Sequence, residues 1–159
     1  MRRFRSNNLL LTVLGVFLTV FLASYVSAAG SNKIAVMAAS GDVKAMSQGS
    51  SEWKKVNFGT MLNSGDTIVT GADSYADLSF NGSSEDALVR VDPNTTMMIG
   101  AYETGQNLAA KKIALDLAMG DILVKANRLK NESQFQVRTP TSVVGVRGTG
   151  FKVQVSAEK

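Results

Sequence analysis

The side chains that most often carry chemistry are sparse in this 159-residue chain, which has no cysteine and no histidine. The usual zinc, copper and haem ligands are therefore missing, as are Ser-His-Asp and Cys-His nucleophilic arrangements. Acids remain, notably Glu85, Asp86, Asp92, Asp116 and Asp121. A glycosidase needs two carboxylates converging at about 5–9 Å, and no spacing among these acids suggests such a pair. Residues 82–86, Gly-Ser-Ser-Glu-Asp, lack the alternating oxygen ligands of a calcium loop. Solvated turn carboxylates are the default for all of them. The expectation is no catalytic residue, no metal, no cofactor, and a protein that is not an enzyme.

Two residues qualify as contact candidates. Trp53 is the single tryptophan, and an exposed indole can anchor a partner or stack on a sugar. Its plainer role is to pack over the core with its N–H on a carbonyl. Arg147 sits among Gly145, Gly148 and Gly150, a setting shared with anion-binding groups. The plainer account is that these glycines allow tight strand-to-strand turns while Arg147 bonds within the fold. Met97-Met98 reads as core filler.

The elements that must position these residues are strands. Apolar and polar residues alternate along residues 76–80, 112–117, 135–138 and 151–155, which places every second side chain on one face. Shorter runs at residues 33–37, 66–70, 87–91, 96–99 and 121–125 also read as strands. Turn signals separate them at residues 40–42, 63–66, 81–84 and 92–94, with Asn81-Gly82 the clearest hairpin. Residues 107–112 form the one candidate for a helical turn. Gly-Asp followed by an apolar residue recurs at Gly41-Asp42, Gly65-Asp66 and Gly120-Asp121. The expected device is a turn entering a strand, with aspartate bonding the following backbone N–H groups. The fold class is all-β, a solenoid-like or sandwich-like antiparallel or mixed domain preceded by an N-terminal hydrophobic helix.

That helix is expected from residues 1–29. Arg2, Arg3 and Arg5 precede residues 9–26, which carry no charge and end on Val26-Ser27-Ala28-Ala29-Gly30. A positive, then apolar, then small-residue order is what export machinery reads. Cleavage falls after Ala28 or Ala29; uncleaved, residues 9–26 would anchor the chain in the inner membrane with the basic end cytoplasmic. Residues 30–159 then form one exported domain, in the periplasm or at the cell exterior. Setting the leader arginines aside takes the net charge from +4 to near +1. With no basic stripe and few aromatics for stacking, nucleic acid is not the expected partner.

Two longer stretches go beyond composition. One is Trp53-Lys54-Lys55-Val56-Asn57-Phe58-Gly59-Thr60-Met61-Leu62-Asn63-Ser64-Gly65-Asp66-Thr67-Ile68-Val69-Thr70-Gly71. The other runs from Phe135 through Thr139-Pro140-Thr141-Ser142-Val143-Val144-Gly145-Val146-Arg147-Gly148-Thr149-Gly150-Phe151, with Val91-Asp92-Pro93-Asn94-Thr95 between. In that order they resemble the FecR domain family, over about residues 34–155. The resemblance implies an all-β extracytoplasmic domain serving in protein or envelope contact, with sensing or signalling in prospect. Its motif residues here are Trp53, Gly65, Asp66, Thr139, Pro140, Gly145, Arg147, Gly148, Thr149 and Phe151, and their expected role is structural. The best-known members place a cytoplasmic sigma-regulating region before a membrane helix. Residues 1–8 are too short for one, so that role is not expected to carry over. The alternative from another class is a secreted carbohydrate-binding or hydrolytic β-solenoid, resting on Trp53 and the scattered acids. Because the chain stops soon after the signature, it could be a truncated product whose final strand, residues 151–155, pairs with a partner. In that event Lys152 and Lys159 would discourage promiscuous pairing.

Overall fold

The computed structural model describes residues 34–80, 87–104, 111–126, 134–146 and 149–156. The expected N-terminal helix and export segment lie outside them, as do the Asn81-Gly82 turn and most of the candidate helical turn. The described strands all fall within one compact unit, Asn32–Lys159. They are β1 Ile34–Ser40, β2 Val43–Met46, β3 Trp53–Lys55, β4 Met61–Leu62, β5 Thr67–Thr70 and β6 Tyr75–Phe80. The rest are β7 Ala87–Val91, β8 Thr96–Thr104, β9 Lys111–Ala126, β10 Gln134–Arg138, β11 Val143–Val146 and β12 Thr149–Val155. The all-β expectation holds. The solenoid-like and sandwich-like forms do not: the twelve strands join in one sheet, curled into a half-barrel. Every pairing is antiparallel except β9 with β10, whereas a solenoid stacks parallel coils.

The sheet curls about β9. Its first part pairs β8 on one side and β10 on the other. Its second part, from Gly120 onward, pairs β7 and β12. Two limbs result: a β6 limb in the order β4-β1-β6-β7-β9, flanked by β12, and a β5 limb in the order β3-β2-β5-β8-β9, flanked by β10 and β11. The buried side chains of β9 change phase between limbs, from Ile113, Leu115 and Leu117 to Ile122, Val124 and Ala126. Period-two alternation cannot do this without an extra residue. The ladder supplies it: Met97 lies opposite Leu117 but Thr96 opposite Met119, leaving Ala118 over as a bulge. Sequence reading split this strand at the same place, treating one bent strand as two.

Beside the bend, several chain segments pass between limbs, and a buried polar clasp joins them. The Thr95 N–H donates to Thr70 Oγ1 at 3.0 Å, and that hydroxyl donates to the Asp92 carbonyl at 2.6 Å. Thr95 Oγ1 accepts from the Asp121 N–H at 2.9 Å. The Asp42 N–H donates to Ser74 Oγ at 2.9 Å, and the Gly71 N–H to the Asp42 carbonyl at 2.8 Å. Thr70, Ser74 and Thr95 are buried, a costly placement for hydroxyls unless bonded. Here all buried side-chain nitrogens and oxygens among the described residues have partners.

Two of the recurring Gly-Asp steps, at Gly41 and Gly120, sit in this clasp, and the third precedes β5. All three glycines have positive φ, at 78°, 89° and 94° in chain order, where a Cβ is penalised. The aspartate works differently from expectation. The Asp66 carboxylate takes the N–H of Asn63, three residues earlier, at 2.9 Å, and that of Gln48 at 3.2 Å.

Away from the clasp the limbs meet through edge-to-face rings: Tyr102 on Phe80 at 5.4 Å, Phe80 on Phe135 at 6.4 Å, and Phe135 on Phe151 at 6.2 Å. Successive rings come from β8, β6, β10 and β12, alternately from the two limbs. The core is thus closed by hydrogen bonds at one end and by aromatic packing at the other.

Candidate functional site

Residues directly opposite each other in a ladder point to the same face, so register assembles surfaces that sequence spacing cannot. One such row crosses the whole β5 limb. Trp53 lies opposite Met46, Met46 opposite Thr67, and Thr67 opposite Met98. The row continues through Asp116 and Arg138 to Val143. All seven point away from the core, and Trp53 (43 % exposed), Met98 (39 %) and Val143 (65 %) are its most open apolar members. A parallel row carries Lys55, Lys44, Val69, Thr96 and Met119. The outward face of this limb is therefore an indole and methionine surface fringed by lysines. Pliable methionine and rigid indole are side chains suited to partner contact.

Charge is fixed at the centre of the row. Arg138 Nη2 donates to Asp116 Oδ2 at 2.7 Å, and Nε lies 2.5 Å from Oδ1. The two-pronged geometry suits a guanidinium and a carboxylate. A second bulge, at Gly100 between Ile99 and Ala101 of β8, makes room for it. A Cβ on Gly100 would collide with both the Asp116 carboxylate and the Arg138 guanidinium.

The outward face of the β6 limb sets exposed apolar side chains, Met37, Met61, Tyr75 and Leu123, beside cross-strand charges. Arg90 holds Asp77 through Nε and Nη2, both at 2.8 Å, and lies 4.9 Å from the centre of the Tyr75 ring. The Asp77 hydrogen bond, with its charge, raises the Arg90 pKa above the ordinary arginine value. Lys152 reaches Asp121 at 3.1 Å and Asp92 at 3.7 Å, and Asp121 holds its amine above the ordinary lysine value. These acids are thus tied up in cross-strand ion pairs. Among the described residues no three acids converge as a metal would require.

The sequence-derived candidates scatter over this frame. Trp53 belongs to the row, but on edge strand β3 and substantially exposed, not packed over the core. Gly65 and Asp66 form the turn into β5. Thr139 and Pro140 open the β10–β11 turn: the Thr139 N–H donates to the Ser142 carbonyl at 2.8 Å, and the Ser142 N–H to Thr139 Oγ1 at 3.0 Å. Gly145 does not make a tight turn. It sits inside β11 opposite Gln136, with nothing within 4 Å of a notional Cβ. Gly150 likewise lies within β12, opposite Lys125. Thr149 begins β12 opposite Ala126, and Phe151 ends the ring series. Arg147 and Gly148 lie outside the described residues. Of the two methionines read as core filler, Met97 is buried but Met98 faces outward. Sequence reasoning missed Met46, Thr67, Arg138 and Val143; outward alternation within each strand was their only signal, and the register joining them is not written locally.

No curated protein and no solved structure matches the chain. A family model described as FecR protein matches residues 66–159, which takes in β5 through β12 and the Thr139–Phe151 signature. The match spans more than half of the sequence, and the chain belongs to the FecR protein family.

Proposed function

We propose that this protein is a non-enzymatic extracytoplasmic FecR-family module that works by docking another protein or envelope component, in a sensing or signalling capacity. The observation that carries this is the outward row of the β5 limb. Trp53 and Met46 stand opposite each other and lead across Thr67 to Met98 on one outward row, with Trp53 and Met98 exposed, and exposed apolar side chains gathered on one face mark interaction surfaces. Export is supported by Arg2, Arg3 and Arg5 followed by the uncharged residues 9–26 and small residues 26–30.

A photo-crosslinking residue at Met98, in the full chain within its native envelope, tests the contact. The expected result is a discrete adduct that weakens with Trp53→Ala and is absent when the probe stands at Lys125 on the other limb. No adduct at Met98, or equal adducts at both positions, would overturn the docking surface. Glycan-array binding abolished by Trp53→Ala would replace the reading with a carbohydrate-binding one. Intact mass and fractionation test the location: a chain starting at Ala29 or Gly30 in the soluble extracytoplasmic fraction, or an intact chain in the membrane, supports export. A soluble cytoplasmic chain retaining Met1 refutes it.

A further inference from the structure

Four strands form the edges of the curled sheet, and three bear features that discourage strand pairing. β3 carries Lys54 and Lys55, β4 is two residues long, and β12 carries Lys152. Charge and brevity are the ordinary means of keeping an edge unpaired. β11 has neither. It reads Val-Val-Gly-Val, without charge, proline or bulge, and among the described residues pairs with β10 alone. Its outward Val143 is 65 % exposed, and the space where a Gly145 side chain would stand is open. The turn before it is held at both ends by Thr139 and Ser142, so the edge is presented in fixed geometry.

We infer that β11 is a strand-pairing site whose occupant is β11 of a second copy of this chain. For two copies to continue one sheet antiparallel, the two-fold axis must stand perpendicular to it, since only then do matching residues keep the same face. With Val144 opposite Val144 of the partner subunit, Val143 falls opposite Gly145 of the partner subunit. The exposed branched side chain thereby gains the open space over the glycine, twice by symmetry. Val144 keeps the inward side, where it already packs against the core. No charged residue lies between 142 and 146, and the nearest cation on β10, Arg138, is bound to Asp116. A partner strand from another protein would need to match this spacing, whereas the second copy does so by its own sequence. The interface is small, of the weak and transient class. It shares Val143 with the outward row, but the Met98 adduct reads the row and the Val144→Cys disulfide reads the edge, so either can fail alone.

The chain has no cysteine, which makes single-cysteine crosslinking unambiguous. Directly opposed residues in an antiparallel pair stand about 4.5–5.5 Å apart at Cα, within disulfide reach. Full-length Val144→Cys, oxidised in its native envelope, is expected to give a disulfide dimer several-fold faster than Gln154→Cys on the β12 edge. Adding Val143→Lys is expected to reduce that crosslink several-fold, because it sets like charges near the axis. Equal rates at both positions, or no effect of Val143→Lys, would overturn the inference. Sedimentation of the cysteine-free chain checks the same point without touching Val144. A concentration-dependent dimer lost in Val143→Lys supports the pairing, and a monomer throughout the range refutes it.

Discussion

Glycine separates into distinct cases here, and each has its own cost on substitution. Gly120 stands at φ +94°, and a Cβ there would lie 2.6 Å from Thr95 Cα and 2.7 Å from the Asn94 carbonyl. Gly120→Ala combines backbone strain with a backbone collision, and an expected loss of about 3 kcal/mol or more follows. Gly59 has a similar φ, +81°, but open space around it, so Gly59→Ala should cost only the conformational part, about 1–2 kcal/mol. Gly145→Ala has neither problem and is expected to fall within about 0.5 kcal/mol of the parent. Urea titration of the three variants orders them; a Gly145→Ala loss as large as that of Gly120→Ala would mean β11 is more tightly enclosed than described. At the same scale, Lys152 makes a prediction with a sign. Its raised pKa means the ion pair with Asp121 favours the folded state fully below the ordinary lysine pKa and is lost as pH rises through the raised value. Lys152→Met should therefore flatten stability against pH only on the alkaline side.

At the scale of elements, the clasp is the feature to test. Thr95→Val keeps the shape of the side chain but leaves the Asp121 N–H without its acceptor, and the expected cost is about 1–3 kcal/mol. Ser142→Ala, which removes an exposed hydroxyl that takes no part in the β10–β11 backbone closure, should cost well under that in the same thermal melts. Much of the strand content was legible: residues 87–91 coincide with β7, and the alternating runs at 76–80, 135–138 and 151–155 fall within β6, β10 and β12. β2 was legible only from the Gly41-Asp42 turn that enters it, and β3, β4 and β11 escaped, at two to four residues each too short for alternation to declare itself. The candidate site was legible only as Trp53. Its neighbours Met46 and Met98 come from strands far apart in sequence, and nothing local to them records that register. The signature residues misled in one respect: Gly145 and Gly150 suggested turns, whereas both lie in strands, and the turn belongs to Thr139 and Pro140.

For the whole molecule, the aromatic series and β9 make the two limbs interdependent. Phe135 touches rings from both Phe80 and Phe151 and is fully buried. Phe135→Ala is expected to cost about 3–5 kcal/mol, a large share of the ordinary stability of a domain. Phe151 has one ring neighbour and is only partly buried, so Phe151→Ala should be milder and leave a foldable protein. Circular dichroism melts separate these outcomes, and equal melting points would show that the ring series does not join the limbs.

The position of β9 in the chain also sets an order of events in time. The strand on which both limbs are built is ninth of twelve, and its partners β10 and β12 follow it. A ribosome, moving from the N-terminus at about 5–20 residues per second, displays eight strands before the one that organises them exists. Until Ala126 and the strands beyond it emerge, the strands β1, β6 and β7 have no backbone ladder joining them to β5 and β8. The two limbs can therefore be joined into one sheet only when nearly the whole domain has been made.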